Sequence, residues 1–544
     1  MIKSLSKKRI ASLTVFVIGI LLVLFYIVSK QRVEFDSDYT DTILWADAML
    51  TGNGLFDTTM NYAYTLPFGG SLLMAPFVAI FGVGFKAHAL GFVLFLTIFV
   101  YAGYKFFRAM DFSADASLAC MGLILLLSLP TKNVRMIMWG HVIHYSLGLL
   151  FVVIALAIYG KIDTDKTALY SKFRVKASDE GVVDAASIAE SQKSSIKWMV
   201  TLAIFTALAC TNGLTTILFF AMPFYGAVIL ERFIETKDDI FCKKNLNTCI
   251  VSIVCLGSGF IGFVVSKIAQ RGVVTVYENM YKDIQMWQSW VWDFEDRIRC
   301  MLVVAVGEID SNVAMESFTG IRIMYMALFG FVIMIVPTIA VVSYKKMQNK
   351  VMRIFMVSYY ILLVSSMFIY DFSMARGTAH RLVGLYMTAV IATVVYMAWL
   401  IKDKELCRYG AVLALLLSGA ALFSAYSLVA LRGENRYDKL TRVLEENNLS
   451  YGYAEYWSAQ VTTVLSDSRI TVCPINISEE GDVEPRLYNI RAQQFNDQPG
   501  VDRYFAFLSS WEYETTKDKI GKEAVDVIQF DDDGYILVFD HNIF

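Results

Sequence analysis

The sequence predicts an all-α polytopic membrane protein of about eleven transmembrane helices, with outer juxtamembrane helices and a small α+β domain at its C-terminal end. Three observations carry this reading. Of the 544 residues 56% are hydrophobic and 18% charged, with a mean hydropathy of +0.51, against roughly 45–50% apolar and about 25% charged in a soluble domain. The excess comes in blocks of about twenty apolar residues, the length that crosses a bilayer as a helix. Residues 432–544 lack such blocks and carry turn signals instead. A soluble enzyme, a disordered chain and a secreted disulfide scaffold are excluded. The net charge of −2 gives no sign of a nucleic-acid partner. The eight cysteines stand singly, without metal spacing. Only Cys300 and Cys473 fall in segments placed outside, where a disulfide between them is open.

The predicted spans are 10–29, 86–107, 113–130, 142–159, 198–215, 216–231, 248–266, 321–342, 354–370, 383–400 and 409–430. The first is too long for a signal-peptide core and is expected to stay as an anchor. The stretch Pro67 to Gly84 has an apolar core too short for a full crossing. Short cytoplasmic loops are enriched in Lys and Arg, and this sets the orientation. With 67–84 outside, segments 1–9, 105–111, 160–197, 231–246, 344–353 and 402–408 lie inside and hold 24 of the 48 basic residues. The N-terminus is therefore expected in the cytoplasm and the C-terminal domain outside.

Two domains follow, a membrane domain at 1–431 and an extracytoplasmic domain at 432–544. The membrane domain has outer loops at 30–85 and 267–320 and a polar cytoplasmic loop at 160–197. WQSWVW (287–292) in the second outer loop suits a helix lying at the headgroup level. The tail carries 11 basic and 21 acidic residues. It reads as a helix near 436–447, strands within RITVCPI (469–475) and RYFAFLSSW (503–511), and a final hairpin VDVIQF-DDDG-YILVFD.

No P-loop, G-x-S-x-G, H-E-x-x-H or kinase motif is present. Ionisable groups gather instead at the outer face, beginning with Glu34, Asp36, Asp38 and Asp41 directly after the first span. Carboxylates against a low-dielectric surface can have raised pKa values and act as general bases; the plainer reading is a solvated collar. The run 34–56 reads as a short amphipathic helix with Ile43, Leu44, Ala48 and Leu50 on its apolar side, stopped at Thr51-Gly-Asn-Gly. NYAYTLPFGG, a short apolar helix and Phe81-Gly-Val-Gly-Phe-Lys86-Ala-His88 come next. An acidic pair after the first span, two outer juxtamembrane helices and a Pro-led apolar helix ending in Phe-Gly resemble the GT-C superfamily of glycosyltransferases, to which protein O-mannosyltransferases and the bacterial aminoarabinose transferase belong. The likeness extends over the whole layout, and 34–106 looks most like bacterial members.

The resemblance implies a membrane enzyme with no cofactor, which takes sugar from a polyprenyl-phosphate donor and passes it, with inversion, to a glycan, lipid or protein acceptor on the outer face. The family's acidic residue after the first span matches Asp36 or Asp38. Asp38 is favoured, because the Asp-Tyr pair followed by WADAML fits the first-loop pattern. Its implied role is to take the proton of the acceptor hydroxyl, with Asp41 and Asp47 dispensable. The phosphate leaving group needs cations, and arginine suits this because it forks onto phosphate oxygens. Candidates are Arg376 and Arg381, with His380, just before the tenth span, although leucine follows Arg381 where relatives carry tyrosine. Headgroup snorkelling is the plainer reading for both arginines. Lys86 falls near a family arginine and either binds phosphate or anchors the helix end. At Arg135-Met-Ile-Met-Trp-Gly-His141-Val-Ile-His144, where many relatives place a second aspartate, this chain has two histidines at i, i+3. These either contact the acceptor or make ordinary polar contacts, and no metal site is expected.

Asn212 reads as helix-packing glue. Asp293, Glu295 and Asp296, beside Arg297 and Arg299, read as a solvated face or an acceptor groove. Two other function classes compete. A transporter or flippase would place ionisable residues at mid-membrane, where this chain has almost none. A non-catalytic envelope scaffold would use the acidic tail and would not need the first loop.

Overall fold

The computed structural model describes residues 6–52, 54–164, 185–237, 243–276, 284–309, 311–372 and 378–544. Among them nine helices are long and apolar enough to cross a membrane, or ten if the bent pair Lys132–Trp139 and His144–Tyr159, set at 61°, is one span. The sequence reading of about eleven counted Ala114–Leu127 as well. That helix has 14 residues, shorter than the nine, but it carries the chain from the far end of Phe85–Ala109 back to Lys132, which pairs with Asp36, so it serves as a crossing. The first span, Lys7–Glu34, starts at Ser6, whose hydroxyl accepts from the Arg9 amide, and runs unbroken toward the first loop.

Two short helices follow it. Asp41–Thr51 ends at Gly52, as the stop signal predicts. Its buried side differs from the predicted stripe. Ile43 and Ala48 are buried, but Leu50 is 45% exposed, and Trp45 and Ala46 are buried in its place. The Trp45 indole N–H donates to Asn489 Oδ1 at 2.8 Å, a polar partner that turns the helix away from its purely apolar pattern. Leu72–Phe81, after a turn at Pro67–Ser71, has ten residues, about 15 Å and too short to cross. Both helices pack together, and the second lies against the long helix Phe85–Ala109.

The C-terminal region builds a six-stranded sheet. In chain order the strands of the protein are β1 (Met60–Tyr62), β2 (Val274–Thr275), β3 (Tyr451–Glu455), β4 (Thr471–Ile477), β5 (Val483–Pro485), β6 (Ile490–Arg491), β7 (Tyr504–Leu508), β8 (Asp526–Asp531) and β9 (Gly534–Phe539). The sheet runs β5-β4-β3-β7-β9-β8. Central β3 lies parallel to both β4 and β7, and the helix Tyr456–Leu465 connects β3 to β4. Alternate residues serve two cores. Leu440, Leu444, Phe505, Ile536 and Val538 bury on one face, and Tyr453, Cys473, Tyr504, Leu537 and Phe539 on the other. The predicted terminal hairpin is β8–β9. Cys473 in this sheet and Cys300 in the helix Trp287–Val306 are both free thiols.

A second sheet, β2-β1-β6, ties the two outer loops to the tail. Asn61 of β1 pairs with Val274 on one side and Ile490 on the other. Arg32 forks onto Asp438, with donor–acceptor distances of 2.7–3.1 Å, and Asn435 Nδ2 donates to the Arg32 and Phe35 carbonyls at 2.8 Å. The tail is thus fastened to the end of the first span and to the loop after it.

Gly452 sits mid-strand in β3, where an added Cβ would meet the Phe505 carbonyl oxygen of β7 at 2.4 Å. Gly452→Val is therefore expected to break the β3–β7 pairing and make residues 432–544 sensitive to limited proteolysis. Wild-type resistance in the variant would show that the sheet tolerates a side chain there.

Candidate active site at the outer face

Three carboxylates of one short segment are gathered by local turn chemistry. Asp36 has extended backbone and caps the turn Ser37–Thr40 by accepting from the Asp38 amide at 3.2 Å. Ser37 Oγ donates to the Tyr456 carbonyl at 2.6 Å, which fixes the turn on the C-terminal domain. Each carboxylate has a different partner. Asp36 pairs with Lys132 Nζ at 2.8 Å. Asp38 Oδ1 accepts from the Tyr456 hydroxyl at 3.0 Å. Asp41 is fully buried, accepts from Asn489 Nδ2 at 2.6 Å, and lies 3.3 Å from His141 Nε2. Tyr64 Oη is also 3.3 Å from that nitrogen.

Burial pushes all three carboxyls above their ordinary range. Lys132 opposes this at Asp36, and His141 opposes it at Asp38 and Asp41. The neighbouring carboxylate Asp41 adds to the upward push on Asp38. A carboxyl raised in this way is better matched to proton abstraction near neutral pH than a solvated one.

Basic groups stand on the other side. His144 begins the helix His144–Tyr159 and is coupled electrostatically to Arg381, His141 and His380; His380 in turn is coupled to Arg381 and His141. The turn Ala379–Leu382 that carries His380 and Arg381 packs against the helices Lys132–Trp139 and Trp287–Val306. His141 thus contacts the acidic segment directly, while the turn with His380 and Arg381 packs against the helix that precedes it. Arg376 lies outside the described residues.

The other candidates have local partners. Arg135 is buried, pairs with Glu34, and donates to the Leu129 carbonyl at 2.8 Å, so it braces the end of the first span. Lys86 is exposed with its ammonium 4.0 Å from the centre of the Phe81 ring, the anchoring geometry. Asn212 clamps the turn before Leu72–Phe81 by bonding both the N–H and the carbonyl of Phe68 at 2.9 and 2.8 Å. Of the second outer loop's charges, Arg297 is buried and paired with Asp371 at 3.2 Å, while Arg299 stays exposed on Asp296. Trp287 and Trp292 of the same helix are exposed, as a headgroup-level helix requires. Among the described residues no group of three His, Cys, Asp or Glu side chains is placed to hold a metal.

Sequence reasoning missed three members of the site. Lys132 was detectable, because it stands three residues before Arg135 at the capped start of one helix, opposite the acidic loop. Tyr456 and Asn489 left no signal, since they reach the cluster only through the fold of the C-terminal domain. Asp41, expected to be dispensable, is the most buried of the three acids.

No family model and no curated protein matches the chain. Solved structures do. ArnT from Cupriavidus metallidurans in the apo state is 12% identical with a TM-score of 0.55, covering 96% of this chain and 97% of that one. The same protein bound to undecaprenyl phosphate gives a TM-score of 0.51 at the same coverage and identity. The apo oligosaccharyltransferase of Archaeoglobus fulgidus is 12% identical with a TM-score of 0.44, over 85% of this chain and 64% of that one. The fold is that of ArnT over nearly the whole of both chains.

The raised carboxyls make a stability prediction. Each binds its proton more tightly folded than unfolded, so stability falls as pH rises from the ordinary value of 3.8 through the folded value. Asp38→Asn removes one such group while keeping an acceptor for Tyr456. Its Tm should exceed that of the wild type at pH 7, with the difference vanishing toward pH 4. An equal Tm difference at both pH values would show that burial does not act on the Asp38 charge.

Proposed function

We propose that this protein is an integral-membrane glycosyltransferase that moves a sugar from a polyprenyl-phosphate donor to an acceptor at the outer face. The observation that carries the reading is the cluster, on an ArnT-like fold, of Asp36, Asp38 and the buried Asp41 around Lys132 and His141 at one end of the membrane domain, with the turn that holds His380 and Arg381 packed against the helix Lys132–Trp139. The biased distribution of Lys and Arg supports a cytoplasmic N-terminus and an outside C-terminal domain.

Asp38 is the base. Asp36 is held by the Lys132 cation, whereas Asp38 has only a neutral phenol as its hydrogen-bond partner. The Asp38 carboxylate takes the proton of the acceptor hydroxyl as its oxygen attacks the anomeric carbon. The bond from that carbon to the phosphate oxygen breaks, and the lipid phosphate leaves carrying the bonding pair. Inversion follows from attack opposite the leaving group. Arg381 receives the phosphate charge, with the histidines beside it. The ArnT structure with undecaprenyl phosphate supports a lipid phosphate as the donor's carrier.

The test is consumption of undecaprenyl-phosphate-linked sugars by membranes containing the protein, using a panel of hexose, pentose and N-acetylhexosamine donors. Asp38→Asn is expected to fold and insert yet lose about 10²–10⁴-fold in rate. Arg381→Ala should lose roughly ten- to a hundredfold, and Arg381→Lys should recover part. Wild-type turnover by Asp36→Asn, Asp38→Asn and the double variant would remove the general base and with it the transfer reading.

A further inference from the structure

We propose that Asn489, supplied by the C-terminal domain, is a positioning residue of the transfer site that fixes the Asp41 carboxylate against His141, so that this domain completes the site. The inference rests on the transfer reading above.

Asn489 is buried and uses both ends of its amide on the first outer loop. Its Oδ1 accepts from Trp45 Nε1 and from the Ala63 amide, both at 2.8 Å. An indole N–H and a backbone N–H are obligatory donors, so the oxygen must face them and the NH₂ must face Asp41. The amide orientation thus follows from chemistry. Its Nδ2 reaches Asp41 Oδ1 at 2.6 Å, and the other carboxylate oxygen, Oδ2, lies 3.3 Å from His141 Nε2. Asn489 is held in turn. Gln460 Nε2 donates to the Tyr488 and Asn489 carbonyls at 2.8 and 3.1 Å, and the following residue, Ile490, pairs with Asn61 in the small sheet. Asn489 has φ +51°, a left-handed conformation that Asn and Asp adopt more readily than most residues.

The result is a directed chain, Asn489 to Asp41 to His141. With Nε2 engaged by Asp41 and Tyr64, the Nδ1 atom of His141 is buried without a hydrogen-bond partner. It is the atom left to meet a substrate oxygen. An acid oriented on an imidazole by a third group is the logic by which many sites fix a reacting ring.

The chemistry of the amide separates a positioning role from a merely structural one. Asn489→Asp keeps both acceptor bonds, to Trp45 and Ala63, and suits the same backbone conformation. It replaces the donor to Asp41 with a second carboxylate. The second buried carboxylate lowers Tm at neutral pH in either case, so the kinetics decide. If Asn489 only clamps the loop, this variant should keep its rate. If it positions Asp41, kcat should fall roughly ten- to a hundredfold, the range carried by one charge-assisted hydrogen bond, with little change in KM. The acidic limb of the kcat/KM profile should also move to higher pH. The added negative charge disfavours ionisation of Asp41 and of Asp36 and Asp38 on its own segment; His141, Tyr64 and Tyr456 face Asp41 from the elements around it, and Lys132 faces Asp36 and Asp38.

The experiment compares wild type, Asn489→Asp, Asn489→Ala and Asp38→Asn on the undecaprenyl-phosphate sugar panel, with thermal unfolding of each. Asn489→Asp slow, with KM unchanged and a shifted acidic limb, is the expected result. Asn489→Asp as active as wild type while Asp38→Asn is inactive overturns the positioning role and leaves the transfer reading standing. Loss of rate in Asn489→Asp with the acidic limb unmoved assigns it to the clamp and overturns the proposal. A wild type that consumes none of the panel removes the transfer reading and this inference with it.

Discussion

Three carboxylates within six residues at the end of the first span, Asp41 buried and Asp36 and Asp38 half-buried, are the constraint on which this end of the membrane domain is organised. Burying an ionised carboxylate is costly unless each has a partner. The partners come from everywhere: Lys132 from a short outer helix, His141 from the break after it, Tyr456 and Asn489 from the far end of the chain. The residual cost appears as raised proton affinity, the property a base needs. The same feature that strains the fold at neutral pH gives it a proton acceptor.

That constraint explains why the C-terminal domain is stitched so closely to the membrane part. A small sheet joins both outer loops to the tail, and Arg32 and Asn435 fasten the end of the first span to the domain's first helix. A domain docked loosely could not hold Tyr456 at 3.0 Å from Asp38. Lys86, Arg135 and Asn212 add to this rigidity. Each is tied to an aromatic ring, a carboxylate or a backbone turn that sets the ends of helices.

Much of this was legible in the sequence, and the reasons are local. The long spans follow from twenty-residue apolar runs, the short outer helices from Gly and Pro signals at Gly52 and Pro67, and the terminal hairpin from its Asp-rich turn. Asp36 and Asp38 were found because they neighbour each other in the chain. Ala114–Leu127 is shorter than the predicted span 113–130, because Ser113 starts the helix and Ser128 ends it. Leu50 was misplaced because a tryptophan seeking an acceptor outweighed apolar spacing. Tyr456 and Asn489 were invisible, since a neutral polar residue in a tail carries no mark until the sheet delivers it to a carboxylate.

The most direct measurement is an experimental structure of the protein with undecaprenyl phosphate. The account predicts the phosphate beside Arg381 and His380, with an open volume between it and the Asp38 carboxylate large enough for a sugar ring, and His141 Nδ1 facing that volume. A phosphate bound elsewhere, with Asp38 walled off from it by protein, would contradict the assignment of Asp38 as the base and of this outer face as the active site.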